Sequence, residues 1–146
     1  RRVALTLSDP FCVENWGLEF AELLDQGQID ILFANEAELL TLYPGALEDA
    51  VKRVRRTCPL AAITRSEHGS IVVAGDQTHV VASAPVDDVV DTTGAGDLYA
   101  AGFLFGLTHG EPLDRCGRLG SMCAAEVISH VGARPQRPLA ELVASS

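Results

Sequence analysis

Residues 91–97 read Asp-Thr-Thr-Gly-Ala-Gly-Asp, and the chain behind them is apolar from Leu98 to Leu107. Gly94, Ala95 and Gly96 have almost no side chain, so a ligand can come very close to their N–H groups. If the apolar run is a helix, those amides stand at its N-terminus, without intrahelical acceptors and at the positive end of the macrodipole. That makes an anion site suited to phosphate without any lysine. Asp97 sits inside the same turn and has two readings. It can complement the dipole, worth ~0.3–1 kcal/mol. It can also be a general base that takes the proton of a hydroxyl while the turn holds charge on a phosphoryl group. The residues alone leave both open. Lys52 is the only lysine and no Gly-Lys pair exists, which excludes a Walker A loop. A dinucleotide fingerprint fails as well, because Tyr99 stands where a small residue is needed.

Other polar groups recur at the ends of apolar runs. Asn35-Glu36-Ala37-Glu38 follows "IDILF", with the Asn-x-x-Glu spacing of a capping box. Thr64-Arg65-Ser66-Glu67-His68-Gly69 links two apolar runs and reads as a strand-to-strand turn. Asp91 suits a turn-forming position. His68, His79, His109 and His130 share no face and read as surface or loop residues.

The elements that must position these groups follow from periodicity. Val3–Leu7 predicts a short strand, Glu14–Leu24 a helix, and Ile29–Phe33 a strand buried on both faces. A helix follows from Asn35 through Leu42, broken by Pro44-Gly45, and another spans Leu47–Thr57. Leu60–Thr64 predicts a buried strand, and Ser70–Ala74 with Thr78–Ala82 a hairpin. Val86–Val90 predicts one more short strand. Leu98–Leu107 predicts a helix buried all round. Pro112 opens a helix whose small and apolar residues share one face. A short terminal helix follows Pro135 and Pro138. Strands alternating with helices predict an α/β fold with a mostly parallel sheet, read as one domain.

Composition narrows the partners. The 146 residues are 47% hydrophobic with a net charge of −9. That length and mix bury a real core, and the acidic balance excludes nucleic acid and anionic membranes as partners. The cluster Lys52, Arg53, Arg55, Arg56 reads as one solvated helix face. Cys12, Cys58, Cys116 and Cys123 form no Cys-x-x-Cys pair, which argues against a zinc site and for a reducing, cytoplasmic setting. The longest apolar run is too short to span a bilayer. The chain opens on Arg1-Arg2 and enters a strand directly, which suggests a fragment.

"DTTGAGD" resembles the C-terminal signature of the ribokinase-like carbohydrate kinases of the phosphofructokinase-B type. The resemblance implies a three-layer α/β/α ribokinase-like fold, here its C-terminal nucleotide-binding and catalytic part, with the N-terminal part and lid absent. It makes Asp97 the catalytic base and the Gly94, Ala95 and Gly96 backbone the anion hole for the γ-phosphoryl group. It assigns Asn35, Thr64, Ser66, Glu67, Gly69 and Gly96 to ATP, with Ser66 standing where the family's loop has its first glycine. Glu38 would order Mg²⁺ through water, and Asp91 with Thr93, near Val127 and Gly132, would hold a monovalent cation such as K⁺. The small-residue face of the 112–131 helix would line an adenine pocket, or else serve close helix packing. "LSDPF", residues 29–38 and "AAEVISHVGARP" look similar to the family's adenosine kinases. The function implied is ATP-dependent phosphorylation of a primary hydroxyl on a sugar or nucleoside, with adenosine to AMP first. The alternatives are ribokinase- or fructokinase-type activity, or an inactive nucleotide-binding fragment. A fragment lacking its other half would expose apolar surface and self-associate.

Overall fold

The computed structural model describes residues 1–144. Strand β1 (Ala4–Thr6) leads to α1 (Pro10–Asp25), β2 (Ile31–Asn35), α2 (Glu36–Leu42), α3 (Leu47–Thr57) and β3 (Leu60–Thr64). A 3₁₀ turn (Ser66–His68) precedes β4 (Ser70–Ala74) and β5 (Gln77–Val81). The rest is helical: α4 (Ala95–Thr108), α5 (Leu113–Ile128) and α6 (Leu139–Ala144). The strands form one five-stranded sheet in the order β1-β2-β3-β4-β5. β1, β2 and β3 are parallel, pairing Ala4 with Ile31 and Ile31 with Leu60, so the helices between them are crossovers. β4 and β5 are joined at Gly75-Asp76 as a hairpin, so the sheet is mixed.

The chain divides into two compact units: Arg1–Arg65 with Ile71–His79, and Ser66–Ser70 with Val80 onward. The first has its own core, in which Leu7, Leu24, Leu32, Leu39, Val54, Ile63 and Val73 are buried together. β2 and β3 are apolar on both faces and are buried accordingly. In the second unit, α4 packs along α5. Gly102 makes this possible, since a Cβ there would stand 2.6 Å from the Leu119 carbonyl oxygen.

Two expectations are corrected. Residues 86–90 form no strand, and Val89 and Val90 are exposed. The acidic pair Asp87-Asp88 interrupts that run, and Val90 N–H donates to the Ile128 carbonyl rather than to a strand. α4 is not buried all round. Tyr99, Gly102, Phe103 and Gly106 are covered, while Phe105 on another face is 40% exposed.

Candidate active site

The second unit contains the turn. Gly94 is the N-cap of α4 with φ = 82°, a left-handed conformation in which a side chain is strained, and a Cβ there would lie 2.8 Å from that of Ala133. No side chain caps this helix. The Leu98 amide makes the first helical bond, to Gly94 O at 2.9 Å. Ahead of it, the Ala95 amide turns inward to Thr92 O at 3.2 Å, so the resemblance-based assignment of that amide to an anion hole does not match its geometry. Among the described residues, the amides of Gly94, Gly96 and Asp97 have no acceptor. Beyond its own helix backbone, no described residue comes within 4 Å of a Cβ built at Gly96, so packing does not require a glycine there. Asp97 is exposed, and among the described residues its carboxylate makes no hydrogen bond or ion pair. The result is open donors beside an open carboxylate.

Asp91 buttresses the turn from one side. Its Oδ1 accepts from Thr93 N at 2.9 Å and Thr93 Oγ1 at 2.6 Å, and its Oδ2 accepts from Gly132 N at 2.9 Å. These donors, the Thr93 hydroxyl first, pull the carboxyl down to about 2. The structure thus unites Asp91, Thr93 and Gly132 through mutual hydrogen bonds.

The 66–69 loop belongs to the same unit. Ser66 holds φ = 51° and Gly69 φ = 79°, and a Cβ on Gly69 would strike the Val81 carbonyl oxygen at 1.9 Å. Ser66 therefore keeps a backbone shape that suits glycine. Glu67 is exposed, and its carbonyl accepts from Ser83 Oγ at 2.9 Å. The buried Tyr99 hydroxyl donates to Ser70 Oγ at 2.8 Å, which ties the loop to the first turns of α4. Burial, only partly offset by that bond, pushes the phenol up to about 12. Sequence reasoning missed this link.

In the first unit, Asn35 and Thr64 are register partners at the carboxyl ends of β2 and β3. Asn35 caps α2: its Oδ1 accepts from Glu38 N at 2.8 Å, and Glu38 Oε2 accepts from Asn35 N at 2.8 Å. Asn35 Nδ2 also donates to Glu38 Oε1 at 2.7 Å. Glu38 is 5% exposed, and burial raises its pKa against the lowering by the Asn35 amide. Each of its oxygens accepts one hydrogen bond and keeps a lone pair free, which suits a role toward Mg²⁺ through water. Arg65 Nε donates to Glu36 Oε2 at 3.1 Å, a pair that spacing did not suggest.

On the small face of α5, close helix packing, one of the two readings, holds at two glycines. A Cβ on Gly117 would meet Val81 Cγ2 at 2.9 Å, and one on Gly120 would meet Tyr99 O at 2.7 Å. At these two glycines the face is filled from within the chain, while Ala124 and Ile128 are half-buried.

Residues 5–139 match the pfkB family carbohydrate kinase. The chain belongs to the pfkB family. Its ribokinase-like α/β fold superposes on the crystal structure of adenosine kinase from Sinorhizobium meliloti with a TM-score of 0.96 and 48% identity, covering 99% of this chain and 45% of that one. It is similar to the Arabidopsis thaliana ribokinase complexed with ribose and ATP, with a TM-score of 0.77, 26% identity, and 97% and 47% of the two chains covered. An uncharacterized sugar kinase of Archaeoglobus fulgidus is 36% identical over 110 residues, 74% of this chain and 43% of that protein. The chain thus spans less than half the length of these relatives.

Proposed function

We propose that this chain carries the phosphoryl-transfer turn of an ATP-dependent kinase acting on a hydroxyl of a sugar or nucleoside, with adenosine the preferred acceptor. The observation that carries the reading is the uncapped start of α4, where the amides of Gly94, Gly96 and Asp97 are open beside the exposed Asp97 carboxylate. Amides fixed in this way take up charge that builds on the transferring group without reorganising. Asp97 accepts the hydroxyl proton as that oxygen bonds to the γ-phosphorus, and the bond to the ADP oxygen breaks in line. Asp91, through Thr93 and Gly132, keeps the turn in shape. Mg²⁺ bound with the nucleotide would neutralise phosphate charge; within the first unit, Glu38 is the group whose free lone pairs would suit a metal's water. Adenosine is preferred on the 48% identity to the S. meliloti enzyme.

The test is Asp97→Asn in the intact protein, assayed against adenosine, ribose and fructose. The amide keeps the shape but cannot take the proton, so turnover should fall by about 10²-fold or more, with ATP affinity little changed. Retained turnover removes Asp97 from the chemistry. A rate highest on ribose or fructose replaces adenosine but keeps the mechanism. Nucleotide binding without turnover on any acceptor marks a binding fragment.

A further inference from the structure

Glu126 is a buried carboxylate on α5. Its side chain is 6% exposed, and Oε1 accepts from the backbone N–H groups of Gln136 at 2.8 Å and Arg137 at 2.9 Å. His130 Nε2 lies 3.4 Å from the same oxygen, while Oε2 is buried with no hydrogen-bond partner among the described residues. A buried carboxylate is expensive unless hydrogen-bonded, so its use on two consecutive loop amides calls for a reason. Those amides belong to the irregular stretch 129–138. The near end of that stretch is held too, because the Gly132 amide donates to Asp91. Between the two anchors, Ala133 abuts Gly94, with its Cα 3.1 Å from where a Gly94 Cβ would stand. The stretch is a strap, fixed at both ends by carboxylates and pressed against the left-handed residue that opens α4.

We propose that Glu126 is a positioning residue for the Gly94–Asp97 turn: by anchoring the Gln136 and Arg137 amides it holds Ala133 against Gly94 and so fixes where the open amides of the turn point. Its kinetic consequence rests on the function proposed above, because only a reaction at that turn registers the displacement. A misplacement of about 1 Å at a reacting centre can lower a rate by about 10²-fold.

The experiment compares Glu126→Leu, Glu126→Gln and, as a stability control, Val54→Ala in the core of the first unit, all in the full chain. Glu126→Leu should shift the backbone amide resonances of Gly94, Gly96 and Asp97 in the ligand-free protein and lower kcat about tenfold or more, with KM for ATP within about twofold. Glu126→Gln keeps a carbonyl oxygen able to accept both amides and should restore most of the rate. Val54→Ala should melt earlier without moving those resonances. Unmoved resonances and an unchanged kcat in folded Glu126→Leu overturn the proposal. Shifted resonances together with full turnover by Asp97→Asn would sustain the positioning role and remove the function instead. If Glu126→Leu does not fold, hydrogen exchange on the unaltered chain decides. The Gln136 and Arg137 amides should be protected although no helix or strand holds them, and exchange at unstructured-chain rates overturns the proposal.

Discussion

Ser66 carries φ = 51° at a loop position where its side chain is exposed and makes no hydrogen bond among the described residues. The left-handed conformation costs a non-glycine residue about 1–2 kcal/mol. Glycine returns part of that gain through its freer unfolded state, roughly 0.5–1 kcal/mol. Ser66→Gly should therefore stabilise the protein by about 0.5–1 kcal/mol, read as a higher urea midpoint at unchanged slope. A lower midpoint would mean that the hydroxyl makes a contact of its own. Asp91 supplies a second residue-scale prediction. Its carboxyl sits at about 2 in the folded chain against an ordinary 3.8, so the unfolded chain binds the proton first. The stabilisation is complete above the unfolded value and lost as pH falls toward 2. The melting-temperature gap between the protein and Asp91→Asn should hold from neutral pH to about 5 and narrow below about 4. A gap that does not narrow would show that Asp91 acts without its charge.

At the scale of elements, local chemistry wrote some parts of the structure and distant contacts wrote others. α3 spans Leu47–Thr57 as read, because Pro44-Gly45 ends the preceding helix and the apolar spacing restarts at Leu47. β2 and β3 announce themselves as continuous apolar runs, the mark of strands covered on both faces. Residues 86–90 show where composition misleads: β-branched side chains favour a strand, but Asp87-Asp88 and the lack of a pairing partner leave them irregular. The small face of α5 was legible as a place of close approach. Which neighbour approaches was not, since Val81 and Tyr99 arrive from other parts of the chain. The same division runs through the site. The glycine turn, Asp97 and the Asn35–Glu38 cap are local patterns. The inward turn of the Ala95 amide, the Tyr99–Ser70 bond and the Glu126 strap are not, because they depend on loop geometry or on partners far away in sequence.

At the scale of the whole molecule, apolar surface and charge act in opposition. α1 buries Val13 and Leu24 but presents Phe11, Trp16 and Leu18 to solvent, with Leu18 82% exposed. Phe11 and Trp16 form an edge-on pair with ring centroids 6.4 Å apart, so these two rings form an exposed apolar patch. β1, in the same unit, is the outermost strand at its end of the sheet, and outer strands offer unpaired backbone groups. These features predict association of the 146-residue chain with itself. The net charge of −9 opposes it, because each approaching copy carries the same sign. Added salt screens that repulsion over about 10 Å at 0.1 M and leaves the apolar attraction in place. Association should therefore tighten as salt rises, whereas contacts made by ion pairs would loosen. Trp16 is the only tryptophan and half-exposed, so its emission should move to shorter wavelength as concentration increases. Replacing Phe11 and Leu18 by serine and glutamate touches exposed positions, where such changes alter stability by about 0.5 kcal/mol or less. The double variant should scatter light as a monomer at concentrations where the unaltered chain does not. A monomer with concentration-independent emission at every salt level would show that this surface does not bind itself.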